Sequence, residues 1–346
     1  MKRRSTVATE STYKPVIGVL LGDAAGVGPE LITKIIADGF LTEECRPIVI
    51  GDKRVLELGM KRVGASFPYT EIRDPSEADF SKGVQLIDMA DLDPASITTG
   101  QVNIASGKAT GEAILKAVEL CKKGQIEGFV FAPFNKTSLK KAGFEFESEH
   151  YLFAHHFGVT TPFGEVNVLG DLMTSRVTSH IPLKEVANRL TRENILRAIH
   201  LLNSTLKMYG VEKPRLGVAG LNPHNGENGT CGREEIDVIA PAVEEAQKEG
   251  IDAVGPYPSD ILFIRAFRGE FNAAVTMYHD QGQIALKLKG FDYGVTVSGG
   301  MPYPIATPAH GTAYDIAGKN VAKTEAIKNA VRMVVKMART NHGQKA

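Results

Sequence analysis

Short runs of apolar, β-branched residues bounded by Gly, Pro or Asn recur along the chain. Between them lie segments of helical length whose apolar residues fall three and four apart. That alternation predicts an α/β protein built on a largely parallel sheet. The clearest helix covers residues 191–208. Thr191 stands as its N-cap, Glu193 favours the first turn, and Ile195, Ile199, Leu202 and Leu206 form one apolar stripe that stops before Gly210. A second helix, 30–38, follows the glycine-rich GDAAGVGPE, where Pro29 suits a first turn. Five predicted strands run directly into polar residues. Residues 16–21 lead to Gly22-Asp23, 128–132 to Pro133-Phe134-Asn135-Lys136, and 176–179 to His180; 216–219 lead to Asn222-Pro223-His224, and 273–278 to His279-Asp280-Gln281. Ligands of open α/β sheets bind beyond the carboxyl ends of the strands, so these exits are expected to gather along one edge.

A chain of 346 residues exceeds what one hydrophobic core usually supports, yet no polar linker divides it. Two α/β lobes packed across a cleft follow. Forty basic and forty acidic side chains cancel, and no long run of like charge appears, which argues against nucleic acid or a membrane surface as partner. A small molecule is the expected partner. Cys45, Cys121 and Cys231 are odd in number and unrelated in spacing, so they read as free thiols in a reducing compartment. The first residues carry Lys-Arg-Arg and then Ser, Thr and Glu with no apolar stretch, which makes residues 1–14 a disordered tail and no secretory signal. No segment approaches the roughly 18 apolar residues of a membrane span. A cytoplasmic protein is expected.

His180, His224 and His279 each stand at a strand exit beside small or turn-forming residues, where an imidazole can reach a cation. One such histidine is ordinarily a hydrogen-bonded loop residue. Three together form a ligand set that leaves a coordination position open. Asp260 and Asp280 are near enough in sequence to orient a ligating ring, or to serve as plain loop residues. Lys136, Asp260 and Asp280 are the candidates to accept a proton, with Lys136 favoured. His200 reads as a helix flank and His342 as solvated, while His150, His155 and His156 form a cluster that is either a metal site or a helix surface. Gly22, Gly26 and Gly28 lack the GxGxxG spacing of a Rossmann fingerprint.

With these residues in view, the chain resembles the 4-hydroxythreonine-4-phosphate dehydrogenase (PdxA) family. GDAAGVGPE is similar to that family's GDPAGIGPE, APFNK to AP-x-NK, NPHNGENG to NPHAGEGG, and MYHDQGQIALK to MYHDQGLPVLK. His310 to Lys319, HGTAYDIAGK, is similar both to PdxA and to the HGSAPDIAGK loop of isopropylmalate and isocitrate dehydrogenases. The resemblance implies a two-domain isopropylmalate-dehydrogenase-like fold with a cleft between the domains, not a Rossmann fold. It implies a divalent metal (Zn, Mg, Mn or Co) on His180, His224 and His279, in a homodimer whose metal site takes ligands from both subunits. Lys287 then contacts substrate, and His310, Gly311, Thr312, Ala313 and Asp315 hold the adenosine end of a dinucleotide. The region after Ala317 lacks an arginine cluster for a 2′-phosphate, which favours NAD over NADP. Residues 15–138 with 290–346 become the nucleotide-binding domain, and 139–289 the metal- and dimer-forming domain.

The substrate-reading segments depart from the family. Its GHTE aligns with Ser148-Glu149-His150-Tyr151, its downstream asparagine with Thr296, and the arginine of PFIRTS with Ile305. Arginine is the usual bidentate partner of phosphate, and isoleucine offers neither its charge nor its paired donors. Glu149, His150, Lys287 and Thr296 are thus the substrate-binding candidates of a divergent dehydrogenase, which oxidises 4-phosphohydroxy-L-threonine or a related hydroxy acid and then decarboxylates it. A terephthalate-type dihydrodiol dehydrogenase and a non-catalytic ligand sensor are the alternatives.

Overall fold

The computed structural model describes residues 13–345, apart from the side chains of Phe291 and Lys345. The tail expected at 1–14 lies outside the described residues up to position 12. Tyr13 and Lys14 are tied down, the first by its hydroxyl to Glu127 at 2.7 Å and the second by its ammonium to the Thr42 carbonyl at 2.8 Å.

The β-branched runs become twelve strands: β1 (Val16–Leu20), β2 (Arg46–Gly51), β3 (Tyr69–Ile72), β4 (Val84–Asp88), β5 (Phe129–Phe131), β6 (Gly164–Leu169), β7 (Leu172–Arg176), β8 (Arg215–Ala219), β9 (Asp252–Tyr257), β10 (Ala273–Thr276), β11 (Val295–Gly299) and β12 (Ile305–Pro308). They form one sheet in the order β3-β4-β2-β1-β5-β12-β11-β6-β7-β10-β8-β9. The α/β class is as expected. The sheet is parallel in two blocks, β3 to β12 and β7 to β9, and the three pairings between them, β12/β11, β11/β6 and β6/β7, are antiparallel.

Three reversals turn one block against the other. The exits of β1 and β5 therefore point to one edge of the sheet, and those of β7, β8 and β10 to the opposite edge. The single shared edge expected from the strand exits is not what forms. β7 also lies earlier than expected, with Arg176 as its last residue and 177–179 already beyond it.

The central strands explain how the two blocks still share a site. Along β6 and β11 apolar and polar residues alternate, and since side chains of a strand point to opposite faces in turn, β7 and β12 are divided between the same two faces. Val166, Val168, Met173, Val295, Val297 and Ala306 face a core shared with the helices Arg192–Met208 and Glu325–Lys345. Asn167, Thr174, Thr296 and Thr307 pair in register across the other face, and although each is at most 8 % exposed, all are polar. A cleft runs over this polar face.

Helix signals act as read. Thr191 caps Arg192–Met208 by accepting from the Asn194 amide at 3.2 Å, and its apolar stripe is buried. Pro29 sits in the first turn of Gly28–Ala37. Gly22, at φ +72°, is forced: a Cβ there would stand 2.5 Å from the Ala132 carbonyl oxygen. Cys45, Cys121 and Cys231 are free thiols. Among the described residues, no helix is long and apolar enough to cross a membrane.

Candidate functional site

The cleft, about 730 Å³, takes residues from both blocks. The β5 exit supplies Pro133, Phe134 and Lys136, the central strands supply Glu165, Thr296 and Thr307, and the β7 and β10 exits supply Arg176, His180 and His279. Glu149 and the segment 308–311 close it. A neighbouring cavity of about 620 Å³ shares Glu165, His279 and Ala309 and is lined by Asn167, Gln283 and Lys287.

His180 and His279 stand side by side, with ring centroids 5.5 Å apart. Asp280 shares a 2.6 Å hydrogen bond with Nδ1 of His279, which leaves Nε2 of that ring as the outward ligand atom. Two imidazoles with a free nitrogen suit a borderline divalent cation. His224 does not join them. Among the described residues, no group of three His, Cys, Asp or Glu side chains is placed to hold a metal. The three-histidine set read from strand exits is thus not assembled within one chain, because β8 carries His224 out at a separate position.

The loop bearing His224 is unusual in its backbone. His224, Asn225, Gly226, Glu227 and Asn228 all have left-handed φ and ψ, a conformation that costs roughly 1–2 kcal/mol for each residue with a Cβ. Buried Glu235 holds the loop entrance. Its carboxylate accepts from the Leu221 and Asn222 amides at 2.7 and 2.6 Å and from the Asn222 side chain at 2.9 Å. His224 itself is exposed; Nδ1 meets Glu227 at 2.8 Å, and that bond, before the carboxylate's charge, raises the pKa of the ring.

Lys136, Glu149, Thr296, His310 and Gly311 line the cleft, and Lys287 lines its neighbour. Lys136 pairs with Glu149 at 3.0 Å. His150 lies behind the wall, buried and sharing a 2.9 Å hydrogen bond with Ser298. Burial lowers its pKa, against the raising influence of Glu149 and Glu165. Asp260 and Asp280 do not line the cleft; the first is exposed on Ser259–Phe267, and the second is engaged with His279. Ile305 needs a correction. It is fully buried among residues such as Phe129, Phe153 and Met301 and does not line the cleft, so its lack of charge says nothing of what the cleft binds. Position 307 is where β12 reaches the cleft.

Residues that the sequence reading passed over hold the site together. Glu165 and Arg176 form a 2.6 Å ion pair on the cleft floor. Arg176 also donates to Asn167 at 2.8 Å and Ser179 at 3.0 Å, and Asn167 accepts from Gln283 at 2.6 Å. Burial alone would raise the pKa of Glu165, but the Arg176 charge and the bond from Asn167 hold it below the usual carboxylate range. The period-two polar positions of β6, Glu165 and Asn167, were the signal that could have found part of this network.

The loop carrying His310, Gly311, Thr312, Ala313 and Asp315 is clamped to the glycine-rich turn. The Thr312 carbonyl accepts from the Val27 amide at 3.1 Å, and a Cβ at Gly26 would meet that carbonyl oxygen at 2.9 Å. Tyr314 donates to buried Asp23 at 2.5 Å. Buried Glu30 accepts from the Gly318 amide and, at 2.9 Å, from the Asn320 amide. Gly311 faces open space, and Asp315 is exposed. A rigidly held loop with open backbone beside the cleft fits a nucleotide.

Comparison with known proteins agrees with this architecture. The family model described as "Pyridoxal phosphate biosynthetic protein PdxA" matches residues 43–334. The chain is 45 % identical over 333 residues to a putative 4-hydroxythreonine-4-phosphate dehydrogenase 2 of Pseudomonas aeruginosa, covering 94 % of this chain and 97 % of the relative. It is 39 % identical over 330 residues to the D-threonate 4-phosphate dehydrogenase of Cupriavidus necator, covering 95 % and 98 %. The crystal structure of 4-hydroxythreonine-4-phosphate dehydrogenase from Klebsiella pneumoniae superposes with a TM-score of 0.85 at 33 % identity, covering 95 % of this chain and 99 % of that one.

Proposed function

The chain belongs to the PdxA family and is a dehydrogenase acting on a CH–OH group, and from that premise we propose that it oxidises 4-phosphohydroxy-L-threonine or a close hydroxy-acid phosphate with NAD in the cytoplasm, followed by decarboxylation. The observation that carries this reading is the pairing of His180 and His279 in a cleft whose opposite wall is His310 and Gly311 of the clamped loop. Metal-ligating and nucleotide-facing groups thereby look at one space. Residues 15–138 with 290–346 then act as the nucleotide domain, and 139–289 as the metal and dimer domain.

The metal would be held by His180 and His279 of one subunit and His224 of a second. Two observations support the partner's share. His224 stands apart from the pair within the chain, and exposed apolar side chains surround this region: Ile261 and Ile264 on Ser259–Phe267, and Ile284 and Leu288 on His279–Gly290, the last 85 % exposed. Residues three or four apart share a helix face, so each helix presents an apolar patch suited to a second copy.

A divalent cation, when bound, would supply Lewis acidity toward a substrate hydroxyl, and a nicotinamide, when bound, would supply the redox chemistry. The protein's own residues do the rest. Asp280 fixes the ring of His279, and Glu235 fixes the turn that presents His224. Of the three proton-acceptor candidates only Lys136 reaches the cleft, so Lys136 takes the hydroxyl proton, with Glu149 beside its terminal nitrogen. Lys287 meets the acidic end of the substrate from the neighbouring cavity.

The test is NADH formation with added divalent metal on 4-phosphohydroxy-L-threonine, D-threonate 4-phosphate, unphosphorylated four-carbon hydroxy acids and a cis-dihydrodiol dicarboxylate. Turnover of a phosphate ester is the expected result. Activity confined to the unphosphorylated acids or the diol would overturn the substrate, and binding without turnover of any compound would favour a sensor.

A further inference from the structure

The polar face of the central strands sets Glu165 and Arg176 in the cleft lining together with the hydroxyls of Thr296 and Thr307. The Glu165 side chain is 28 % exposed and that of its partner Arg176 only 6 %, so of the two groups lining the cleft the carboxylate is the more open. Arg176 commits three of its five N–H donors, to Glu165, Asn167 and Ser179. Glu165 receives one hydrogen bond on each oxygen, from Arg176 at 2.6 Å and from Asn167 at 2.9 Å, and a carboxylate oxygen can accept two. Spare lone pairs remain on both oxygens.

Glu149 repeats the arrangement from the opposite wall. Its side chain is nine-tenths buried, and Oε2 stands 3.0 Å from Lys136 Nζ. That contact is close enough for an ion pair but misaligned for a hydrogen bond, and Oε2 has no other partner among the described residues. Two carboxylates thus line one cleft, each beside a basic side chain; Glu165 keeps open accepting capacity, and Glu149 keeps a buried oxygen whose hydrogen bonds are unmade. Their complement is a ligand group that donates. A phosphate dianion placed between them would be repelled, whereas the exposed Lys287 of the adjoining cavity has no ion-pair partner among the described residues.

We propose that Glu165 and Glu149 are specificity-determining residues that read N–H or O–H donors on the head of the substrate, with Arg176 as the positioning residue that holds Glu165. This rests on the reading of the cleft as a hydroxy-acid phosphate site. It orients the ligand, with the donor-bearing head between the carboxylates and the anionic end toward Lys287. The two sources of such a donor are an ammonium, on a 2-amino-3-hydroxy acid, and a hydroxyl, on a 2,3-dihydroxy acid.

Calorimetry with Mg²⁺ and without nicotinamide measures binding of 4-phosphohydroxy-L-threonine and of D-threonate 4-phosphate to the full chain, to Glu165→Gln and to Glu149→Gln. Each variant is expected to bind at least about 10-fold more weakly, the loss of one charge-assisted hydrogen bond. A loss confined to the amino acid identifies the ammonium as the group read; equal losses on both compounds identify a hydroxyl. Arg176→Lys should raise KM while leaving kcat within a few-fold, a split that mere loss of folded protein would not produce. Unaltered affinity in both glutamine variants, or no binding of either compound to the unmodified protein, would overturn the proposal. Binding that obeys these expectations without NADH formation would instead sink the proposed reaction.

Discussion

Glu30 ties the loop that follows His310 to the helix after the glycine-rich turn, and its removal separates loop order from cleft chemistry. The side chain is fully buried, accepts from the Gly318 and Asn320 amides, and stands 3.9 Å from Arg62, itself only 10 % exposed. Burial lowers the pKa of Arg62, while Glu30 supports its charge. Glu30→Ala orphans two amides, at about 1–3 kcal/mol each, and removes the carboxylate beside a buried cation that keeps Thr99 and the Ala24 and Gly26 carbonyls as acceptors. Breaking a buried pair by removing one partner costs about 3–5 kcal/mol, and that range covers the whole change. Glu30→Gln keeps one acceptor oxygen and the shape, so about half that loss is expected. Urea titration reads the stability, and equilibrium NAD binding reads the loop. Both should fall together, because the ligand can only engage the loop after paying to order it. Stability within about 0.5 kcal/mol of the unmodified protein in Glu30→Ala would refute the clamp. A stability loss with unchanged NAD affinity would refute the placing of the nucleotide on this loop.

Mixing His180→Ala with His224→Ala should restore metal binding and turnover that neither variant shows alone, because a mixed dimer keeps one intact interfacial site. Failure of mixed dimers, once formed, to bind metal would return all three histidines to one chain. Leu288→Asp, at an 85 % exposed position, should leave the fold intact but shift the protein toward monomer in sedimentation velocity; an unchanged dimer would move the interface elsewhere. His150 is held neutral by burial, so its folded pKa lies below the ordinary 6.5. The unfolded chain binds the extra proton first, and the associated stability, present above about pH 6.5, is lost as pH falls through the folded value. His150→Asn should therefore flatten the difference between urea midpoints at pH 7 and pH 5, and equal slopes in the two proteins would contradict the assignment.

Local signals were legible where local physics decides. Thr191, Glu193 and the stripe from Ile195 to Leu206 specify a helix whose cap, first turn and buried face all agree. Pro29 marks a first turn because its missing amide is not needed there. His180 and His279 were brought together as strand exits of one parallel block, β7 and β10, whose pairing is direct. The common edge was not legible. It depends on three antiparallel pairings in the middle of the sheet, and strand direction leaves no mark on a run of Val and Thr. Gapless alignment likewise set Ile305 against an arginine without showing that the position is core.

The residues missed are those whose meaning lies in alternation. Glu165-Val166-Asn167-Val168 and Thr296-Val297-Ser298 look like ordinary half-exposed strands, apolar residues inward and polar residues toward water. Here the polar side is buried too, since Asn167, Thr296 and Ser298 are each at most 8 % exposed. Burying polar groups without partners is costly, so a dry polar face persists only as a bonded network, and Arg176 at the center of Glu165, Asn167 and Ser179 is that network. A strand whose polar face is closed by the opposing wall of a cleft is thereby distinguished from one that faces solvent. The distinction is tertiary, and it makes β6 and β7 parts of the site while their sequences read as scaffold.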